Sequence, residues 1–277
     1  MSDPVAETLV HPTAVVFPGA ELGAGVQVGP FCVIEPGVEL GAGCILAAHV
    51  HLLGRTSIGP GTVIGTGSVI GGPPQDGKYK GERTITRVGA GCTLFEHVTV
   101  QRATGEGNAT IVGDRVMMMV NSHVGHNARV DDGAVLVNGA ALAGHSHVGA
   151  RAFLSLGCGV HQFCRVGRLT LLGGGTMVTK DAPPFSIITG SYPTRWRAPN
   201  TIGMRRAGFA PAERDAVRNA LNRIFRSGES PRAIAEELSN NPVAAVAELA
   251  AFILSSKRGV VAGPARASAP EDEGIDA

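Results

Sequence analysis

Aromatic residues are scarce, at 4% of 277 residues with a single Trp and two Tyr. A core built on large rings is excluded, and Val, Ile, Leu and Ala must fill the interior instead. Charge is scarce too: 17% of residues are Asp, Glu, Lys or Arg and the formal net is +1. Nothing global in that balance favours nucleic acid or a membrane surface. No apolar run reaches bilayer length, so no stable membrane insertion is expected. The opening MSDPVAETLVHPTAVV lacks a basic stretch followed by an apolar one, and a cytoplasmic location is the expectation. Glycine, by contrast, is abundant at 39 residues, which together with an aliphatic core suggests a solenoid of many tight turns.

Self-similarity carries the fold. Counting by six from Val10 meets Val16, Leu22, Val28, Ile34, Leu40, Leu46, Leu52, Ile58, Ile64 and Ile70. The phase returns at Val88, Leu94 and Val100, and again at every sixth residue from Val112 to Val178. If one position in four were aliphatic, twelve consecutive hits would arise by chance about once in ten million. Gly follows the aliphatic residue at Gly23, Gly29, Gly41, Gly59 and further repeats, as turns with φ > 0 or close backbone approach require. Small residues precede it by two, as in Ser122, Ala128, Ala134 and Ala140. Each hexapeptide then supplies a short strand and a turn, and about three close one coil of a parallel β prism. Cys32, Cys44, Cys92, Cys158 and Cys164 all fall on the small inward position, so they read as buried thiols rather than disulfides or metal ligands.

The lattice breaks where the count of six lands on Asp76, Glu82 and Glu106, because a carboxylate cannot occupy an aliphatic core site. Outward loops are expected at 72–87 and 101–111, and loops on solenoids are frequently functional. The run DAPPF stops the last strand. The predicted layout is a prism over 1–184, a linker and helical domain over 185–257, and a disordered tail over 258–277. Helices are expected at 211–226, 231–239 and 242–256, the first with Val217, Ala220, Leu221, Ile224 and Phe225 at helical spacing.

Histidines 123, 126, 145, 147 and 161 fall on neighbouring coils, none of them at an aliphatic site. His126 lies at a turn, and one coil of about eighteen residues brings Gly144 beside it. An exposed imidazole next to a glycine N–H offers a general base and an oxyanion donor. Two rival readings stand at this point: polar residues simply populate turns, or histidines hold zinc between subunits.

These residues carry a family resemblance. HPTAVV, PQDGKYKGE, NSHVGHN, LAGH, VHQFCRVG, DAPPF and NTIGMRRAGF are similar to motifs of the UDP-N-acetylglucosamine O-acyltransferases that begin lipid A synthesis. The resemblance covers about 10–255. It implies a left-handed β-helix with a small C-terminal helical domain, working as a homotrimer with sites between subunits and with no metal or cofactor. His126 then matches the general base and Gly144 the oxyanion donor. Asp76 and Lys78 match loop residues at the acyl and sugar site, while His123, His145, His161 and Gln162 line the cleft. Gly174 matches a position that helps set acyl-chain length. Asn200 and Arg206 match residues near the nucleotide and the carrier's phosphopantetheine. Gln101, assigned to the substrate site, stands where many members have His; Asn127 stands where Asp is common; Ile202 and Ala207 replace polar residues. Those departures keep open a 3-amino sugar or another nucleotide sugar as acceptor, and a non-enzymatic scaffold is the second alternative. Gly173, Gly174 and Gly175 predict room for a medium to long 3-hydroxyacyl chain. The arginines between Arg195 and Arg232 form a candidate docking surface for acidic acyl carrier protein.

Overall fold

Strands of two to four residues alternate with tight turns from Leu9 to Val178 in the computed structural model, which describes residues 7–264. Val10 pairs in parallel with Val28, Val16 with Ile34 and Leu22 with Leu40, each eighteen residues on. Three strands therefore close one coil, and coils stack at the roughly 4.8 Å spacing of paired strands. The product is a left-handed parallel β-helix. Its first wall begins with Leu9–Val10 and has eleven strands, its second begins with Val15–Val16 and has nine, and its third begins with Glu21–Leu22 and has eight.

From Val28 upward the repeated aliphatic residues are all buried, whereas Val10, in the first coil, is 42% exposed. All five cysteines are buried and unbridged. The Cys32 thiol donates to the Ala47 carbonyl and the Cys158 thiol to that of Gly173, and burial raises both thiol pKa values. Thr62 and Ser68, at the same inward corner, donate to Gly89 and Phe95 carbonyls. Several polar groups at this position are satisfied by the next coil, whereas Thr86, Ser122 and Thr176 are buried there without a partner among the described residues.

Two corner positions constrain sequence for different reasons. The glycine directly after the aliphatic residue is needed for close approach: a Cβ at Gly59 would lie 2.5 Å from the backbone of Gly89. Left-handed φ falls two residues later, at Gly25, Gly43 and Gly61, and there Phe31, His49, Asn127, His145 and Phe163 also adopt φ of 57° to 63°.

Both insertions leave from the edge between the second and third walls. Across the first, partners lie thirty residues apart, as in Ile58 with Val88; across the second, twenty-four, as in Val88 with Val112. The excursions are shorter than expected, at 73–84 and 102–108. Gln101 still belongs to a strand, and pairing of Thr86 with Thr56 and of Ile85 with Ala109 extends the strands at the far ends.

The stretch expected as a linker is instead a hairpin. Ser186–Thr189 adds to the first wall in parallel beside Leu171–Leu172, and Arg195–Pro199 pairs with it antiparallel. Trp196 is fully buried there and stacks on Phe225 at 5.0 Å. Four helices follow: α1 (Thr201–Arg206), α2 (Pro211–Arg226), α3 (Pro231–Leu238) and α4 (Ala244–Leu254). Buried Asp181 ties them to the prism, accepting from Arg165 N–H at 2.8 Å, its Nε at 2.9 Å and Ser256 Oγ at 2.8 Å. The expected disordered tail is ordered at its start, where Val260 and Ala262 form bridges to Asp181 and Arg195. The rest of that tail, 265–277, lies outside the described residues. Among the described residues no helix is long and apolar enough to cross a membrane.

Candidate active site

The edge between the second and third walls gathers most of the expected site residues. Val124 ends a second-wall strand and Arg129 opens a third-wall strand, so His126 and Asn127 form the turn between them. His126 is 6% exposed, and its ring lies against Gly144: a Cβ there would meet Nε2 at 2.4 Å. Nδ1 is tied the other way, to Asn127 Oδ1 at 2.9 Å. Because a carboxamide oxygen only accepts, Nδ1 carries the proton and Nε2 keeps a lone pair. Asn127 also clasps the second loop, accepting from Thr104 N–H at 2.9 Å and donating to the Thr104 carbonyl at 3.0 Å.

The backbone N–H of Gly144 has no acceptor among the described residues. Two equivalent N–H groups on the edge between the third and first walls are capped by carboxylates. Ala90 N–H donates to Asp114 Oδ1 at 2.8 Å, and Asp114 N–H to Asp132 Oδ1 at 3.0 Å. At His126 and Gly144 an uncapped donor therefore sits beside an imidazole with a free lone pair.

Around this pair the other histidines divide. His123, on the second wall, bonds Thr99 Oγ1 at 2.7 Å. Burial, and then the neighbouring His126, lower its pKa. His145 stands edge-on to His126 with centroids 5.2 Å apart. Burial lowers its pKa, His126 adds to the effect, and Asp76 opposes it. The first loop leaves from this same edge, between Val69–Gly72 and Ile85–Val88, and within it Asp76 Oδ1 accepts the Lys78 N–H at 2.9 Å. Gln101 ends the strand one coil below, 6% exposed, in register with Gly72. His161 and Gln162 are exposed one coil above His145, two above His126. His147 does not join them: it faces out from the third wall and bonds Asp131 Oδ2 at 2.8 Å.

Three expected residues lie elsewhere on the chain. Gly174 is on the edge between the first and second walls, where a Cβ would meet only the Leu156 carbonyl at 3.8 Å. Asn200 and Arg206 border a cavity of about 460 Å³ beside the first wall, lined also by Arg151, Phe153, Leu171 and Ile202. Asn200 caps α1, accepting the Gly203 N–H at 2.9 Å, and donates to the Leu169 carbonyl. Three arginines of the run are engaged: Arg218 pairs with Asp215, Arg223 with Glu237 and Arg232 with Glu236. Among the described residues no carboxylate pairs with Arg205 or Arg206. Nor do any three His, Cys, Asp or Glu side chains come together in a group suited to a metal ion.

Sequence reasoning missed the loop clasp of Asn127 and the ring of Phe163, which stacks on His145 at 4.8 Å and 15°. Both sit at the left-handed corner position, where a residue other than Gly is itself a signal.

Repeat and walls define a hexapeptide-repeat β-helix protein, and the family model described as "Bacterial transferase hexapeptide (six repeats)" matches residues 19–54. The model described as "Udp N-acetylglucosamine O-acyltransferase; Domain 2" matches residues 181–261. The solved UDP-N-acetylglucosamine acyltransferase of Bacteroides fragilis is 32% identical with a TM-score of 0.87, over 91% of this chain and 100% of that one. That of Francisella novicida is 30% identical with a TM-score of 0.88, over 92% and 95%. The chain belongs to the UDP-N-acetylglucosamine O-acyltransferase family. An acyl-[acyl-carrier-protein]–UDP-N-acetylglucosamine O-acyltransferase of Synechocystis sp. is 41% identical over 128 residues, 46% of each chain. The match thus spans about half the length of such curated relatives.

Proposed function

We propose that this protein transfers a 3-hydroxyacyl chain from acyl carrier protein to the 3-hydroxyl of UDP-N-acetylglucosamine, opening lipid A synthesis in the cytoplasm. The observation that carries this reading is the pairing of the His126 ring with the uncapped N–H of Gly144. His126 Nε2 takes the proton from the sugar hydroxyl as its oxygen adds to the thioester carbonyl. The oxyanion accepts the Gly144 N–H. Collapse breaks the C–S bond, and the imidazolium returns its proton to the departing phosphopantetheine thiolate. Every proton is held by the chain's own groups, so the reaction as drawn uses no cofactor.

His123, His145, Gln101, Asp76 and Lys78 surround this point and are assigned to the acceptor sugar and acyl head. Asn200 and Arg206 lie on another side of the prism, so a complete site takes them from a neighbouring copy. A homotrimer with head-to-tail contacts fits, since each interface joins two different surfaces. Outward rows on the first wall, including Ile45, Val63 and Phe153, offer it apolar contact. Arg205 and Arg206, without carboxylate partners among the described residues and next to the Asn200 cavity, offer an attraction for an acidic carrier. The unobstructed space at Gly174 suits a chain near hydroxymyristate.

The test is turnover of purified protein with 3-hydroxymyristoyl carrier and either UDP-N-acetylglucosamine or its 3-amino analogue. An ester at the sugar 3-position, with strong preference for the hydroxyl acceptor, is expected. Preference for the amine would replace the ester reading, and turnover of neither would overturn acyl transfer to this sugar class.

A further inference from the structure

The reaction above makes no use of Phe163, although the ring is placed with some cost. It is 55% exposed on the outer edge of the prism, and its backbone adopts φ of 63° at a corner where glycine is the strain-free choice. We propose that Phe163 is a positioning residue, clamping His145 against His126 by stacking on the outer face of the His145 ring. This rests on His126 being the general base.

The three rings form one column. Phe163 lies nearly parallel to His145, with centroids 4.8 Å apart, and His145 stands at 89° to His126 at 5.2 Å. The backbone follows the same path, with Phe163 N–H donating to the Gly144 carbonyl and His145 N–H to the His126 carbonyl. Neither His145 nor Phe163 can turn away without opening the column.

Keeping His145 neutral is the functional consequence. Burial holds its pKa below the ordinary histidine value, and a Phe face is part of that cover. The charged and titratable groups facing it are His126 on the coil below and Asp76 on the first loop, while the coil above brings His161 two residues before the Phe163 ring. Deprotonating the sugar hydroxyl puts positive charge on His126. A cationic His145 next to it would oppose that charge, so loss of the Phe163 cover should harm catalysis most at acid pH.

The experiment is the pH profile of kcat/KM for Phe163→Leu, Phe163→Tyr and the wild type. Phe31→Leu is the matched control, because Phe31 stacks on His49 in the same way, at 5.0 Å, on a different edge. Phe163→Leu should move the acid limb up by about one pH unit and largely keep the alkaline plateau. Phe163→Tyr should retain the wild-type limb, as should Phe31→Leu. A uniform loss at every pH, a superimposable profile, or an equal shift in Phe31→Leu would overturn the clamp. If His126→Ala also loses turnover, those outcomes remove the clamp alone; if it keeps turnover, the base assignment falls and the clamp with it.

Discussion

Two stretches of edge on the same prism, the turns after Val88 and Val112 and those after Val124 and Leu142, run on one lattice and differ in what lies over their backbone. Between the third and first walls, Asp114 and Asp132 cap the turn N–H groups of Ala90 and Asp114, and Arg115 lies beside both carboxylates. Between the second and third walls the same positions hold His126, Gly144 and Gln162, without carboxylates, and two loops leave from the coils beneath. The fold offers an outward donor at this turn wherever the residue is not proline, as it is at Pro36 and Pro60. Whether it becomes a structural cap or a site for a passing oxyanion is decided by the side chain on the next coil. What sets the His126 stretch apart is the concentration of imidazoles beside an N–H that no side chain caps.

Substitutions on the two edges should separate this difference cleanly. Removing the proposed base should have the largest effect: His126→Ala is expected to lower kcat by about 10²–10⁴ with no change in size in solution, measured by turnover and by size-exclusion chromatography. Next is Gly144→Ala, whose Cβ would fall 2.4 Å from His126 Nε2 and must push the ring aside. Displacement of this size should cost on the order of 10² in kcat. The effect on stability should be small, because the ring can swing outward. On the other edge, Asp114→Ala should leave turnover unchanged and lower unfolding stability by about 1 kcal/mol, the net worth of a lost hydrogen bond, read from denaturant midpoints. Activity loss in Asp114→Ala comparable with that of Gly144→Ala would erase the distinction between the edges.

Much of this was legible in the sequence because a hexapeptide repeat fixes two things at once: which residues point inward and which corner each remaining residue occupies. Ile34, Leu136 and Val178 could be assigned to the core from period alone, and Asp76 and Glu106 could be excluded from it. Stepping one coil from His126 reached Gly144 without coordinates. The hairpin at 186–199 was hidden because Pro193, Arg195 and Arg197 obscure strand alternation, and its anchor, Trp196, is buried by Phe225 from a helix far along the chain. Helix α1 was hidden for another reason. It is six residues long with Gly203 inside, and its start depends on the Asn200 cap rather than on periodicity. Corner chemistry was only half readable: glycine after the aliphatic site and glycine at left-handed φ look alike in sequence, and only geometry separates close approach from conformational need.

The central claim is that one working site joins the His126 edge of one copy to the Asn200 and Arg206 surface of another. Subunit mixing tests it most directly. His126→Ala and Arg206→Ala proteins, each prepared alone, should be nearly inactive. Co-expressed in equal amounts, they form mixed oligomers in which some interfaces pair an intact His126 with an intact Arg206. Random head-to-tail pairing predicts recovery of about a quarter of wild-type turnover. No recovery above the two parents, in oligomers shown to contain both subunits, would mean that the site lies within a single chain and would contradict the account.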